Sequence, residues 1–184
     1  GLEFSTGEFL VLAKNPPQQF ELTQRLPPGA SLEGFMFPDG YRLRRKVSVR
    51  GFFETVLQNF QIKVDQELQN GFARQGLDLH QAVTLASLVQ REAVVQDEMP
   101  SIALVFFNRL EAGMKLDSDP TVQYALGYNR KKGTWWTNPL SLEDLKVNSS
   151  YNTYVYPGLP PGPIASPDLE ALQAVAFPAQ TPYF

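Results

Sequence analysis

Helical periodicity constrains this chain more than any other feature of its sequence. From Val49 to about Gln69, apolar residues recur at the spacing of three and four that places them on one face of a helix. That buried stripe is Phe52, Phe53, Val56, Leu57, Phe60 and Val64. Capping residues, prolines and glycines predict further helices at about 5–14, 78–94, 98–111, 121–126 and 168–177, and a helical turn at 141–145. The chain is therefore predicted to be rich in helix.

Strand-like stretches are few and short. We expect them at Met114 to Leu116, at Thr153 to Tyr156 and at the terminal pair Tyr183-Phe184. Gly71 and Gly76 are expected to bracket a short break between helices. The predicted fold class is accordingly α+β, a helix-rich domain with a few short strands.

Composition excludes several classes of function. With 184 residues, 43% of them hydrophobic, the chain can bury one sizeable core. It has no cysteine and a single histidine, His80, so we expect no disulfide, no metal site and no cofactor held by such residues. The net charge is −3 and the only dense basic run, at 42–50, is predicted to be a solvated face, so nucleic acid is not an expected partner. No apolar run approaches the roughly 20 residues of a membrane span.

Glu92 is the most informative polar residue. In the predicted helix it lies within about 60° of Leu85, Leu88 and Val89 around the axis, on the apolar face. Loss of hydration there disfavours the charged carboxylate and raises its pKa, so that the acid stays protonated near neutral pH and can donate a proton. The alternative is a structural glutamate at the margin of a core helix, paired with an arginine or with backbone groups.

Other polar residues lie where packing does not obviously require them. Asp119 and Thr121 flank a predicted helix start, and Asn152 and Tyr154 precede the rigid proline-rich loop 157–163. Asp119 has the alternative role of a helix cap. Aromatic residues offer flat faces to sugar rings, although packing is the expected role of the two tryptophans. They are Trp135, Trp136, Tyr151, Tyr154 and Tyr156.

Six ordered motifs resemble those of one bacterial family. They are Leu-Glu-Gly-Phe-Met-Phe-Pro-Asp (32–39), Ala-Ser-Leu-Val-Gln-Arg-Glu (86–92), Val-Phe-Phe-Asn-Arg-Leu (105–110), Asp-Pro-Thr-Val (119–122), Tyr-Asn-Thr-Tyr (151–154) and Gly-Leu-Pro-Pro-Gly-Pro-Ile (158–164). Together they look like the endolytic murein transglycosylase, or YceG-like, family, over about residues 31–184. The six motifs in order make the resemblance specific, which no single motif would.

The resemblance implies an enzyme and a set of site residues. Such enzymes cleave glycan strands of peptidoglycan between N-acetylmuramic acid and N-acetylglucosamine without water, leaving a 1,6-anhydromuramyl end. The family's catalytic glutamate matches Glu92, and Asp119, Thr121, Asn152 and Tyr154 are carried over as substrate-binding residues. No cofactor and no metal are implied.

The resemblance also implies a cellular setting. Family members are anchored in the cytoplasmic membrane by one N-terminal helix, act outside the cytoplasm, and are associated with peptidoglycan synthases (penicillin-binding proteins). Because the chain begins at Gly1 without an anchor, we expect it to be a piece of a longer protein. Residues 1–30 are then a linker or the remnant of a LysM-like domain, and 31–184 the catalytic domain, truncated at its C-terminal end relative to the family.

One departure from the family and two rival functions remain open. Gln90 stands where the family commonly has an acid, which matters only if that acid tunes Glu92. A hydrolytic muramidase would use Asp119 as a second carboxylate and add water to its product. A wall-binding or scaffold module would bind glycan without cleaving it, with Glu92 only structural.

Overall fold

The computed structural model describes residues 2–18 and 20–180, and helices build this part of the chain. The α-helices are α1 (Thr6–Lys14), α2 (Val49–Lys63), α3 (Gln66–Arg74), α4 (Leu79–Glu92), α5 (Met99–Glu111), α6 (Asp119–Leu126) and α7 (Leu169–Ala176). Short 3-10 turns lie at Glu21–Arg25, Gln96–Glu98 and Asp144–Lys146. Most of these elements lie where the apolar periodicity predicts them.

Local capping chemistry sets where α4 begins and ends. The Asp78 side chain accepts a hydrogen bond from the Gln81 backbone N–H at 2.8 Å, and the Gln81 side chain accepts one from the Asp78 N–H at 2.9 Å. This reciprocal pair is a capping box, and it satisfies two donors that a helix start leaves unpaired. Because α4 starts at a fixed residue, its last residue, Glu92, is also fixed in space.

Helix α4 forms the centre of the core. Every residue from Ala82 to Val89 is buried, and α3, α5, α6 and α7 pack around this helix. Helix α7 also contacts α3 and α5. Gly71 of α3 makes one close approach possible, because a Cβ there would lie 2.6 Å from the Cβ of Ala176 in α7.

The expected α+β class is wrong for the residues that the structure describes. They contain no sheet, only an isolated antiparallel bridge between Asn129 and Thr134, and the protein is mostly helical. Residues 153–156 instead form a turn, in which the Asn152 carbonyl accepts bonds from Val155 N–H and Tyr156 N–H at 3.1 and 2.9 Å. These backbone groups are satisfied locally and need no ladder.

The sequence predicts the other two strands at 114–116 and 183–184. Residues 114–116 form neither helix nor strand, and the Leu116 carbonyl accepts a hydrogen bond from the Arg109 side chain at 2.8 Å. An alternating or apolar stretch of three residues carries too little information to separate such a segment from a strand. The third stretch, 183–184, lies outside the described residues.

The single helix predicted from Val49 to about Gln69 is two helices. Helix α2 ends at Lys63, and Asp65 starts α3 by accepting a hydrogen bond from the Leu68 N–H at 3.0 Å. The break predicted between Gly71 and Gly76 is also wrong at its first residue, since Gly71 lies inside α3. Gly71 is required for packing against α7, not for a turn.

The first 30 residues pack onto the rest of the chain. The Phe9 ring of α1 stacks on Phe53 of α2 with centroids 5.1 Å apart, and Phe20 and Leu22 belong to the buried core. The predicted division at residue 30 stays a prediction. None of the helices in the described part of the chain is both long and apolar enough to cross a bilayer.

Candidate active site

Glu92 is the last residue of α4, at the point where this helix leaves the core. Its carboxylate is partly buried, and the Ser118 hydroxyl donates a hydrogen bond to its Oε1 at 2.5 Å. Burial raises the pKa of Glu92, and the negative charge of Asp119 raises it further, while the Ser118 hydrogen bond and the positive charge of Arg109 oppose this rise. The net effect is an acid whose pKa is above its ordinary value, as its position on the apolar helix face predicts.

An apolar groove lies beside Glu92. The groove has a volume of about 430 Å³ and is bordered by the end of α4, by α5 and by residues 116–117. Its apolar wall is Ile102, Val105, Phe106 and Leu116, and its polar lining is Glu92, Glu98, Ser101, Arg109 and Asp117. An apolar groove with a few convergent polar groups is the usual form of a small-ligand or substrate site.

Two buried threonines fix the residue that contacts Glu92. The backbone N–H of Ser118 donates to Thr153 Oγ1 at 3.0 Å, and the Thr121 hydroxyl donates to the Ser118 carbonyl at 2.6 Å. The two threonine hydroxyls are themselves 2.9 Å apart. All three residues are buried, so the Ser118 hydroxyl is held in one direction, toward the carboxyl group.

Tyr154 and Asp119 form a polar pair at the edge of the site. The Tyr154 hydroxyl donates to Asp119 Oδ1 at 2.8 Å, and the Lys115 ammonium donates to the Tyr154 carbonyl at 2.9 Å. Burial and the adjacent Asp119 carboxylate raise the pKa of Tyr154 to about 12. At neutral pH Tyr154 is therefore a hydrogen-bond donor and not a base.

Asn152 holds the loop that carries Tyr154. Its side-chain amide donates to the carbonyls of Leu145 and Val147 at 3.0 and 2.8 Å, and its Oδ1 accepts from the Tyr154 N–H at 2.9 Å. The structure thus brings all five predicted site residues into one region, but Thr121 and Asn152 are fully buried. These two position the loops, while Glu92, Asp119 and Tyr154 have exposed surface.

Sequence reasoning missed Ser118 and Arg109 as site residues. Ser118 is at the N-cap position of α6, yet its side chain makes no cap hydrogen bond and donates to Glu92 instead. Arg109 holds the segment before α6, since its Nη1 donates to the Leu116 carbonyl at 2.8 Å and lies 3.5 Å from Asp117 Oδ2. Its Nε is buried without a hydrogen-bond partner among the described residues. The signal for Arg109 is its place in the motif at 105–110.

Gln90 connects α4 to α7. Its Oε1 accepts a hydrogen bond from the Asp168 backbone N–H at 2.8 Å, directly before α7 begins. One turn earlier, Ser87 Oγ accepts from the Ile164 N–H at 3.0 Å and so fixes the end of the proline-rich loop. Gln90 therefore has a structural contact of its own and is not among the groups that shift the pKa of Glu92.

The two tryptophans lie in different surroundings. The Arg91 guanidinium stacks over the Trp136 ring at 3.8 Å from its centroid, which ties residues 135–137 to the end of α4. Trp135 is 60% exposed, contrary to the packing role expected from the sequence. Only Trp136 therefore fits that expectation.

The single histidine is remote from Glu92. His80 lies in the first turn of α4, twelve residues before Glu92, which is about 18 Å along a helix. Burial lowers the pKa of His80. No group of three His, Asp or Glu side chains in the described part of the chain is arranged to hold a metal ion.

The fold is that of a known family. Residues 6–184 match the model of the YceG-like family, and the chain belongs to that family. It is 32% identical over 153 residues to an endolytic murein transglycosylase of Bacillus subtilis and 31% identical over 151 residues to one of Streptococcus pneumoniae. These alignments cover 83% and 78% of this chain but 40% and 25% of the two relatives, so the chain spans less than half of their length.

A solved structure supports the same assignment. The crystal structure of a YceG-like protein from Listeria monocytogenes superposes with a TM-score of 0.81 at 27% identity. The match covers 97% of this chain and 60% of the other. The helical arrangement described above is therefore that of the family.

Proposed function

We propose that this chain is the catalytic part of an endolytic murein transglycosylase, with Glu92 as its single general acid and base. The observation that carries the proposal is the Glu92 carboxyl group, whose pKa is raised by burial on the wall of an apolar groove and whose orientation is fixed by Ser118. The names of the relatives from Bacillus subtilis and Streptococcus pneumoniae support the substrate class.

The reaction needs one proton donor that later accepts a proton. Protonated Glu92 donates to the glycosidic oxygen between N-acetylmuramic acid and N-acetylglucosamine, while the 2-acetamido group of the substrate assists cleavage at C1. The Glu92 carboxylate then takes the proton of the muramyl 6-hydroxyl as that oxygen attacks C1, which closes the 1,6-anhydro ring. Donation and removal by one group is ordinary acid–base alternation, and the intramolecular hydroxyl replaces a bound water molecule.

The surrounding residues have separate roles in this scheme. Ser118 stabilises the Glu92 carboxylate that forms on donation, since a hydrogen bond to a charged acceptor is stronger than one to a neutral acceptor. Tyr154 and Asp119 orient sugar hydroxyl or acetamido groups at the edge of the groove. Thr121 and Asn152 act on the substrate through the loops that they hold.

Product analysis tests the proposal. Purified chain is incubated with peptidoglycan sacculi in water enriched in ¹⁸O, and the released fragments are identified by mass spectrometry. We expect anhydro-ended fragments without ¹⁸O, and loss of release in Glu92→Gln by a factor on the order of 10²–10⁴. Glu111→Gln is the matched control, because Glu111 is the exposed last residue of α5 as Glu92 is the last of α4.

Two other outcomes would contradict the proposal. Incorporation of ¹⁸O into a reducing end would identify a hydrolytic muramidase, for which Asp117 and Asp119 supply nearby second carboxylates. Glycan binding with no released fragment, in both wild type and Glu92→Gln, would identify a wall-binding or scaffold module.

The cellular setting belongs to the same proposal. In the longer protein, a single N-terminal membrane helix would hold this domain on the outer side of the cytoplasmic membrane, close to peptidoglycan synthases that supply its strands. The family membership supports this setting. Co-purification of a penicillin-binding protein with the full-length, membrane-extracted protein tests the partner, and recovery of the full-length protein in a soluble fraction would contradict the anchor.

A further inference from the structure

The surface loop that follows α6 carries an aromatic pair that the proposed chemistry does not use. We call residues 127–137 the aromatic hairpin. Tyr128 and Trp135 lie on it with ring centroids 5.5 Å apart, and they are 50% and 60% exposed. Two large aromatic side chains left beside each other in solvent cost hydrophobic free energy, which favours a binding role for them.

The aromatic hairpin is rigid although it is exposed. Asn129 and Thr134 exchange backbone hydrogen bonds at 2.8 and 3.3 Å, and Asn129 Oδ1 accepts from the N–H groups of Lys131 and Lys132 at 3.1 Å each. Its base is fixed by Gln123, whose side chain donates to the Thr137 carbonyl at 2.9 Å. The backbone that carries the two aromatic residues is therefore held by its own hydrogen bonds, which reduces the entropy lost on binding.

The hairpin contacts Arg91, the residue next to the proposed acid in the sequence. Arg91 precedes Glu92 at the end of α4, and its guanidinium covers Trp136, the neighbour of Trp135. This contact places the hairpin beside the end of α4, next to the residue that precedes the proposed acid. Flat aromatic faces suit sugar rings because they pair an apolar surface with hydrogen-bonding edges.

The charge of the hairpin indicates which polymer it would hold. Arg130, Lys131 and Lys132 are consecutive and exposed; Lys132 lies near the Asp144 carboxylate, which leaves Arg130 and Lys131 as the outer positive charges. This local positive patch stands out in a chain of net charge −3. It is complementary to a strand that carries carboxylates, as the peptide stems of peptidoglycan do, or the lactyl groups where no peptide is attached.

From these observations we infer that the aromatic hairpin is a second glycan-binding subsite, which holds the carboxylate-bearing strand beyond the bond that Glu92 cleaves. The inference rests on the proposed function for the direction of the strand. The sugar faces contact Tyr128 and Trp135, while Arg130 and Lys131 attract the acidic substituents. The hairpin thereby favours long, peptide-bearing strands over short or bare ones.

Binding measured without catalysis tests this inference. In a Glu92→Gln background, Trp135→Ala should weaken binding to solubilised peptide-bearing strands on the order of tenfold, because a large aromatic face dominates such contacts. Trp135→Tyr should restore most of it. Phe177→Ala, which removes another exposed ring that stacks on Arg74, should have no effect. Circular dichroism and the melting temperature establish that each variant is folded.

Charge reversal tests the chemical class of the ligand. Arg130→Glu with Lys131→Glu should weaken binding to peptide-bearing strands but not to strands stripped of peptide and lactyl carboxylates. The difference in affinity for peptide-bearing strands between the charge-reversed and the parent protein should vanish as the salt concentration rises from about 0.1 M to about 1 M, because the Debye length falls from about 10 to about 3 Å. The same reversal of Arg44 and Arg45, in the other basic run, should change nothing.

Several results would overturn the inference. If Trp135→Ala and Phe177→Ala bind strands with equal affinity, the hairpin is not a glycan-binding subsite. If the charge reversal weakens binding to bare and peptide-bearing strands equally, the subsite does not recognise acidic substituents. Binding of the hairpin to anionic lipid vesicles, lost in Trp135→Ala while strand binding is kept, would assign it to a membrane surface instead. Failure of the proposed function is separate, since it is measured as absent cleavage by wild type and not as binding.

Discussion

Removing the Ser118 hydroxyl should change both the rate and the pH dependence of the proposed reaction. In Ser118→Ala the Glu92 carboxylate loses the hydrogen bond that reaches its Oε1 at 2.5 Å. That bond lowers the pKa of Glu92, so its loss raises the pKa further above the ordinary value. Since free enzyme must hold Glu92 protonated, the alkaline limb of the pH profile should move to higher pH.

The size of the rate effect follows from the two states of the acid. A hydrogen bond to a charged group contributes about 1.5–3 kcal/mol and one to a neutral group about 0.5–1.5 kcal/mol. Glu92 becomes charged as it donates its proton, so Ser118 stabilises the transition state over the ground state by the difference, about 1–1.5 kcal/mol. This corresponds to a fall in kcat of roughly five- to twelvefold in Ser118→Ala.

The assay is the rate of release of anhydro-ended fragments from sacculi at a series of pH values. Ser101→Ala is the control, because Ser101 lines the same groove without a described bond to Glu92. An alkaline limb that moves to lower pH, or equal kcat values for Ser118→Ala and wild type, would refute the assigned role of Ser118. A parallel change in Ser101→Ala would show that the groove, and not the bond, is responsible.

Three further perturbations have expected outcomes. Asp119→Asn removes a charge that raises the pKa of Glu92, so the alkaline limb should move to lower pH, opposite to Ser118→Ala, in the same assay. Glu92→Gln should raise the melting temperature near neutral pH. The pKa of Glu92 is raised in the folded state, so the wild type loses stability as the pH rises through that pKa, whereas the neutral glutamine does not. Below about pH 4 the acid is protonated in the folded and unfolded states, and the difference in melting temperature should disappear. Gly34→Ala should destabilise the fold by about 1–3 kcal/mol in denaturant unfolding, since its φ is +84° and a Cβ would lie 2.4 Å from that of Pro163. Gly29→Ala is the control, because Gly29 has a similar φ of +81° but open space around it, so it measures the backbone strain without the steric clash. Equal losses of unfolding free energy in the two variants would contradict the packing argument.

Sequence patterns predicted those helices whose start, stop and buried face depend on residues close together in the chain. The Asp78 and Gln81 cap, the apolar spacing of α5 and the proline start of α6 each depend on residues within one or two turns. The wrong predictions concern stretches in which a short pattern fits more than one local structure. The pattern at 114–116 predicts a strand, yet the Leu116 carbonyl accepts a hydrogen bond from the side chain of Arg109, seven residues earlier in α5, and three residues carry no sign of such a contact.

The same distinction applies to the candidate site. The sequence by itself determined that Glu92 lies on an apolar helix face, because that follows from 3.6 residues per turn. The resemblance to the family added Asp119, Thr121, Asn152 and Tyr154 as expected substrate-binding residues. Only the tertiary structure decided that the Ser118 hydroxyl points at Glu92, that Arg109 braces the segment before α6, and that Thr121 and Asn152 are buried supports. These contacts join residues 26 to 35 positions apart or depend on how helices pack, and a hydrogen-bond partner brought close by packing leaves no periodic trace in a single sequence.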